Sequence, residues 1–144
     1  GMVRGQMQDI AAETADAPLT LEQITDLQEN KTGKLIQWAC LAGPMIVGDA
    51  ADDGPLRAYA EAIGLAFQIA DDILDVEGDA RVVGKATGKD ADAGKATFVS
   101  LLGLEGAQRR ADELVQSACD CLSVYGDDGD TLREAARFIV SRKN

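Results

Sequence analysis

The sequence predicts an all-α protein of about six or seven helices, and three observations support this fold class. Apolar residues recur at helical spacing along most of the 144 residues, whereas sustained alternation and Asn-Gly hairpin turns are absent. Apolar residues make up 46% of the chain, a proportion that can fill one core. Aromatic residues contribute only 4%, so aliphatic side chains must supply that core. We expect a single domain.

Local signals mark the first three predicted helices. Residues 2–14 have helical periodicity, and Thr20 is placed to cap a second helix, with Gln23 completing a capping box. A kink or a junction between helices is expected at residues 30–33. The third helix, Lys34–Val47, is apolar almost all round, which predicts that it is buried on most sides.

The other predicted elements begin with one long helix. Pro55 suits the first turn of that helix, which is predicted over residues 56–76. Residues 78–94 interleave glycines with lysines and aspartates and predict a functional loop. Asp130 is a predicted N-cap of the last helix. The remaining segments predict a short helix, a long amphipathic helix and the last helix, over residues 95–102, 104–125 and 131–142.

Charge and composition exclude several kinds of function. The chain has 14 lysines and arginines and 25 aspartates and glutamates, a net charge of −11 that argues against nucleic-acid binding. It has no histidine, which excludes histidine catalysis and histidine metal ligands. No apolar run approaches the roughly 18 residues of a membrane span. Cys40, Cys119 and Cys121 lack a disulfide spacing and are expected to be buried thiols in a reducing cytoplasm.

Three aspartates within an apolar helix are the strongest sign of chemistry. Asp71 and Asp75 are four residues apart and share a helix face, and Asp72 lies one step round. Carboxylates near the carboxyl end of a helix need a compensating cation. Mg²⁺, which proteins commonly share with substrate phosphates, suits them. The alternative is a solvated acidic helix end paired with lysine or arginine, but the apolar flanking residues favour the metal.

Lysines form a second group of candidate site residues. Lys31 and Lys34 stand at the entry to the third helix, and Lys85 and Lys95 flank the glycine-rich loop. Lysines that face a carboxylate–metal cluster can hold the outer oxygens of a diphosphate. The alternative is that they are ordinary surface lysines of an acidic protein.

These segments resemble the trans-prenyl diphosphate synthases, the polyprenyl synthetase family. FQIADDILDV, residues 67–76, is similar to the second aspartate-rich motif of that family. GQMQD at residues 5–9 and KTGKLI at residues 31–36 are similar to its GQxxD and KTGxLI segments. Residues 84–103 resemble its GKxxGxD, GKxT and LLG stretch, and the final RKN resembles its basic tail. Five segments in register make the resemblance specific.

The resemblance implies an isoprenoid synthase helical bundle around a central cavity. It implies a Mg²⁺-dependent prenyltransferase that joins dimethylallyl or geranyl diphosphate head-to-tail to isopentenyl diphosphate. The allylic diphosphate leaves, isopentenyl diphosphate attacks the carbocation, and loss of a proton ends the cycle. The last helices and the tail favour farnesyl diphosphate as the product, and family membership favours a homodimer.

The resemblance also implies roles for residues of this chain. The implied metal ligands are Asp71, Asp72 and Asp75. The implied substrate contacts are Gln6, Asp9, Lys31, Phe67, Lys85, Lys95, Arg142 and Lys143. The residues implied in catalysis are Lys31, Thr32, Gln68 and Lys85. The lysines would grip the allylic diphosphate, Thr32 and Gln68 would lie near the carbocation, and the C-terminal cations would close over isopentenyl diphosphate.

One departure from the family pattern is large. The first aspartate-rich motif of the family, which precedes its GQxxD segment, is absent from this chain. We therefore expect residues 1–144 to be the C-terminal part of a single synthase domain, inactive on its own because half of the metal cage is missing. The alternative is a non-catalytic half-synthase that binds diphosphate or pairs with a partner chain.

Overall fold

Helices dominate the computed structural model, which describes residues 1–48, 53–82 (side chains to residue 78) and 96–142. The all-α prediction is confirmed, since no strand occurs in these ranges. The α-helices are Met2–Glu13 (α1), Leu21–Gln28 (α2), Lys34–Val47 (α3), Gly54–Val82 (α4), Phe98–Leu102 (α5), Leu104–Cys121 (α6) and Asp130–Ser141 (α7). A π-helical segment, Glu29–Gly33, joins α2 to α3, and a 3-10 segment, Leu122–Gly129, joins α6 to α7.

The core forms where α4 packs along α6. Alanines at this interface let the two helix backbones approach closely, and larger apolar side chains fill the space around them. The buried residues of α4 and α6 in this cluster are Tyr59, Ile63, Ala66, Ile69, Ala107, Ala111, Leu114, Val115, Ala118 and Cys119. The Tyr59 hydroxyl donates to the Leu132 carbonyl at 2.8 Å, which ties α4 to α7. Burial, followed by the nearby Cys40 and Cys119, raises the pKa of Tyr59 to about 12.

The π-helical segment lies between α1 and α4, and glycines make this placement possible. A Cβ added at Gly5 of α1 would stand 2.2 Å from the Lys31 backbone nitrogen. A Cβ added at Gly64 of α4 would stand 3.2 Å from Gly33 Cα. The expected junction at residues 30–33 is therefore a π-helical turn held by two close backbone approaches. Turns of this kind occur frequently at functional sites.

The local predictions for the first helices are confirmed. Helix α1 covers Met2–Glu13, close to the predicted range. Thr20 caps α2: its hydroxyl accepts from Gln23 N at 3.3 Å, and the Thr20 N–H donates to Gln23 Oε1 at 2.9 Å. Together the two hydrogen bonds satisfy the backbone N–H groups of Thr20 and Gln23, which have no acceptor within the helix.

The predicted burial of α3 is wrong. Leu41 is its buried residue, whereas Trp38 is 64% exposed and Ile46 is 84% exposed. The π segment and α4 pack against one side of α3, and its other apolar side faces outward. The apolar composition of a helix does not by itself determine which neighbours cover it.

Several predicted helix boundaries are also corrected. Helix α4 continues to Val82, past the predicted end, because a helix interior tolerates Gly78 at a cost of about 1 kcal/mol. Helix α5 begins only after Thr97, which caps it. The long amphipathic helix ends at Cys121, before the left-handed Gly126 (φ 52°).

Asp130 is not the predicted N-cap of the last helix. It is the first residue of α7, and its carboxylate accepts from Arg133 Nη1 at 2.6 Å. The same guanidinium donates to the carbonyls of Leu122 and Gly126, both at 2.7 Å. Asp130 therefore orients an arginine that satisfies the end of α6. Among the described residues, no helix combines the length and apolarity that crossing a bilayer requires.

Candidate functional site

The predicted metal ligands lie on the carboxyl half of α4. Asp71 and Asp75 are exposed one turn apart, and Asp72 is half-buried beside them. Ile69 and Ala70, immediately before the aspartates, are buried, so the helix presents carboxylates at the edge of an apolar core. Gly64, Gln68, Asp71 and Asp75 recur every three or four residues and therefore share one face of α4.

Asp72 has a partner outside α4. Its Oδ2 atom accepts a hydrogen bond of 2.7 Å from the Phe98 backbone N–H, the first residue of α5. Thr97 and Ser100 form a capping box at the same helix end, where a negative charge is favourable. Asp72 therefore fixes α5 against α4, while Asp71 and Asp75 turn toward solvent.

The predicted substrate residues Asp9 and Lys31 form a second charged centre. Lys31 Nζ lies 2.5 Å from Asp9 Oδ2, and the Asp9 side chain is only 6% exposed. The close approach of Gly5 to the Lys31 backbone places the π segment against α1 and brings the two charges together. The pair holds the Lys31 ammonium against a buried carboxylate, so Asp9 orients Lys31.

A glycine contact joins α4, which carries the aspartates, to the π segment, which carries Lys31. Gly33 follows Lys31 and Thr32 directly, and it touches Gly64, which lies on the same α4 face as Asp71. Seven residues of helix separate Gly64 from Asp71, about 10 Å at the usual helical rise. The backbone that carries Lys31 therefore contacts the same face of α4 that carries the aspartates, about two turns before Asp71. Thr32 and Gln68 are half-buried near this path, and Gln6 is exposed on α1.

Arg142, a predicted substrate residue, contacts the aspartate-rich face itself. Its Nη2 atom pairs with Asp71 Oδ1, and its guanidinium carbon lies 4.3 Å from the centre of the Phe67 ring. Phe67 and Asp71 are one turn apart on α4, so a single guanidinium spans both. This pairing is one that the alternative interpretation, an acidic helix end paired with arginine, also predicts.

Three predicted site residues lie outside the described residues: Lys85, Lys95 and Lys143. Most of the predicted functional loop, residues 83–94, lies outside them too. Their roles stay predictions.

The donor chemistry of the described face fits Mg²⁺ as a partial site. Asp71 and Asp75 offer carboxylates from one face, with one oxygen of Asp71 paired with Arg142, and Mg²⁺ is commonly bound by one or two carboxylates together with waters and substrate phosphates. No three acidic or thiol side chains within the described ranges converge tightly enough to hold an ion by themselves. A metal here would therefore need additional oxygen ligands from outside the described residues.

Sequence reasoning missed the residues that position the site. Gly5, Gly33 and Gly64 create the close approaches around the π segment, yet glycines in helical patterns gave no warning of them. The spacing of Gly5 to Asp9, one helical turn, was the available signal, because both contact the same segment. The pairing of Asp72 with the Phe98 N–H had no sequence signal.

The chain is similar to one protein family along most of its length. The family model described as polyprenyl synthetase matches residues 1–125. A farnesyl diphosphate synthase of Haemophilus influenzae is 42% identical over 147 aligned residues, which cover 100% of this chain and 49% of that protein.

Two solved structures are similar in fold and sequence. An FPP/GFPP synthase from Zymomonas mobilis matches with a TM-score of 0.84 and 48% identity, over 97% of this chain and 45% of that one. A geranyltransferase from Helicobacter pylori, complexed with magnesium and isoprenyl diphosphate, matches with a TM-score of 0.71 and 35% identity, over 98% of this chain and 46% of that one. The chain spans about half the length of these relatives.

Proposed function

The chain belongs to the polyprenyl synthetase family, and we propose that it is the C-terminal part of a Mg²⁺-dependent prenyl diphosphate synthase domain. The proposed reaction joins an allylic diphosphate to isopentenyl diphosphate, with farnesyl diphosphate as the product. The observation that supports it most directly is the α4 face, which carries Asp71 and Asp75 and contacts, two turns earlier at Gly64, the segment that carries Lys31.

In the proposed reaction the bond between the allylic carbon and the diphosphate oxygen breaks, and the diphosphate leaves with the electron pair. Mg²⁺ held by Asp71 and Asp75 would supply positive charge for the diphosphate. We propose that Lys31, which is paired with Asp9, offers its ammonium to the negative charge that increases on the leaving diphosphate. The lysines at positions 85 and 95 are proposed to do the same from the loop.

The second half of the proposed reaction forms a carbon–carbon bond. The double bond of isopentenyl diphosphate attacks the allylic carbocation, and the resulting carbocation gives a proton to the released diphosphate, which leaves a new double bond. Thr32 and Gln68 are half-buried near the α4 face and offer neutral oxygens, which tolerate a nearby carbocation without capturing it as a carboxylate would. Gln6, Phe67, Arg142 and Lys143 are proposed substrate contacts.

Two further proposals concern assembly and location. The outward apolar side of α3, including Trp38 and Ile46, supports association with another chain, either a second copy or a partner. The same surface supports the alternative function, a non-catalytic half-synthase that pairs with a partner chain. Free thiols at Cys40, Cys119 and Cys121 support a reducing compartment, and we propose the cytoplasm.

The test measures binding and turnover separately. We expect inorganic pyrophosphate to raise the melting temperature of the chain only when Mg²⁺ is present, and Asp71→Asn with Asp75→Asn to abolish this rise. Asp112→Asn, which removes an exposed carboxylate from α6, is the matched control and should retain it. The lack of any Mg²⁺-dependent rise in the wild-type chain would contradict the proposed metal face.

Turnover is tested with geranyl diphosphate, isopentenyl diphosphate and Mg²⁺. The chain alone should give no prenyl product. Adding the part of the Haemophilus influenzae enzyme that this chain does not match should restore product formation, and the Asp71→Asn, Asp75→Asn double variant should not support it. Robust turnover by the chain alone would show that the metal cage is complete without further residues.

A further inference from the structure

The end of α7 places a cation on the aspartate-rich face. Helix α7 ends at Ser141, and Arg142 has extended backbone angles (φ −62°, ψ 139°). Its N–H still donates to the Phe138 carbonyl at 3.0 Å, so its position is fixed by the last helical turn. From there its side chain reaches back to α4, where it pairs with Asp71 and covers the Phe67 ring.

The Arg142 guanidinium has an acceptor for its Nη2 atom but not for its Nε atom among the described residues. Its side chain is 22% exposed, against 51% for the Asp71 side chain. Its Nε atom is buried and has no hydrogen-bond partner among the described residues. A buried donor without an acceptor is unfavourable, and it weakens the hold of this contact on the side chain. The contact is therefore one that a competing cation can replace.

We propose that Arg142 is a built-in counter-ion of Asp71 that a divalent cation displaces, so that cation binding releases the end of the chain from α4. This inference rests on the proposed function, because it takes Asp71 as a metal ligand. Mg²⁺ and the guanidinium cannot both occupy the same side of one carboxylate, since the two cations repel at contact distance.

The released guanidinium has a second use in the proposed reaction. Arginine presents parallel N–H donors that match the oxygens of a diphosphate. While Arg142 is paired with Asp71 its Nη2 donor is engaged and its guanidinium lies over Phe67; once the cation takes Asp71, the guanidinium becomes free to turn toward a diphosphate. The metal face and the C-terminal diphosphate contact are thereby coupled, with the cation binding first.

The size of the effect follows from the exposure of the pair. A partly exposed ion pair, supported by a cation–π contact, weakens the binding of a competing cation by about two- to tenfold. We therefore expect Arg142→Gln to bind Mg²⁺ about two- to tenfold more tightly than the wild-type chain. Arg142→Lys keeps the charge but loses the planar stacking, and it should fall between the two.

Calorimetric titration with Mg²⁺ alone measures these affinities. Arg137→Gln is the matched control, because Arg137 is an exposed arginine on the same helix and its removal changes the net charge equally. It should bind Mg²⁺ within about twofold of wild type, since a surface charge away from the site is screened. If Arg142→Gln and Arg137→Gln bind Mg²⁺ more tightly to the same degree, the effect comes from net charge alone and the proposal is overturned.

Hydrogen exchange supplies a readout that does not depend on activity. Mg²⁺ should speed exchange of the Arg142 amide in the wild-type chain, because the last turn of α7 loses its anchor on α4. In the Arg142→Gln variant the amide at this position should exchange fast with or without Mg²⁺. Equal Mg²⁺ affinity and unchanged exchange would overturn the counter-ion role while leaving Asp71 as a metal ligand. Absence of Mg²⁺ binding in every variant would overturn both assignments.

Discussion

Replacing Gly5 by alanine tests the close contact between α1 and the π-helical segment. A Cβ at position 5 stands 2.2 Å from the Lys31 nitrogen and 2.4 Å from Lys31 Cα, both backbone atoms that cannot rotate away. Because non-bonded heavy atoms rest about 3.5–4.0 Å apart, α1 must retreat by roughly 1.3 Å or more. The 2.5 Å contact between Asp9 and Lys31 then lengthens beyond hydrogen-bond range.

The expected loss of stability combines three terms. Overpacking of this kind costs about 1–3 kcal/mol. Weakening the hydrogen bond to the buried carboxylate of Asp9 adds about 1 kcal/mol. Alanine offsets up to about 1 kcal/mol, since it is a better helix former than glycine. We therefore expect Gly5→Ala to lower the free energy of unfolding by about 1–3 kcal/mol.

Urea unfolding followed by circular dichroism measures this change. Gly43→Ala is the matched control, because Gly43 also lies inside a helix but a Cβ there meets nothing within 4 Å. The control should change the free energy of unfolding by less than about 1 kcal/mol, because the better helix propensity of alanine is offset in part by the restriction that Pro44 places on the residue before it. If Gly5→Ala is as stable as Gly43→Ala, then α1 does not approach the π segment this closely, and the position derived for Lys31 is wrong.

Three other predictions follow from buried and exposed groups. The pKa of Tyr59 is raised from 10 to about 12, so its contribution to stability is complete below pH 10 and is lost as the pH rises toward 12. Melting temperatures measured across this range should fall with rising pH, and the fall should be smaller in Tyr59→Phe. Lys31→Met removes the ammonium that pairs with the buried Asp9 carboxylate and should lower the free energy of unfolding by about 1–3 kcal/mol. Adding Asp9→Asn should recover part of that loss, and a double variant no more stable than Lys31→Met would argue against the pair. Trp38, 64% exposed, should promote self-association, so light scattering should show a larger species for wild type than for Trp38→Gln, and a wild-type monomer would contradict this.

Features that depend on neighbouring residues were predictable from the sequence. The capping box of Thr20 and Gln23 is confirmed because its chemistry is complete within four residues. The shared face of Asp71 and Asp75 follows from helical spacing alone. The junction at residues 30–33 was also foreseen, since polar residues and a glycine interrupt two apolar stretches.

Features that depend on distant residues were not predictable. Asp72 accepts from an N–H that lies 26 residues further along the chain, and Arg142 reaches Asp71 across 71 residues. The π-helical form of the junction accompanies close contacts with Gly5 and Gly64, which lie 24 or more residues away along the chain. Likewise, the apolar composition of α3 cannot tell whether neighbouring helices cover it.

The glycine contacts around the π segment also limit how this protein can change over evolutionary time. At Gly5 the neighbouring backbone leaves no room for even one methyl group, and at Gly64 it leaves almost none. Lys31 is therefore carried by a part of the fold that accepts very little variation in side-chain volume. Variation has to arise at positions where side chains can change size freely. In the described residues such freedom is found on exposed polar surfaces like the outer side of α6, so a saturation mutagenesis map of this chain should show a rigid junction and a permissive outer face on α6.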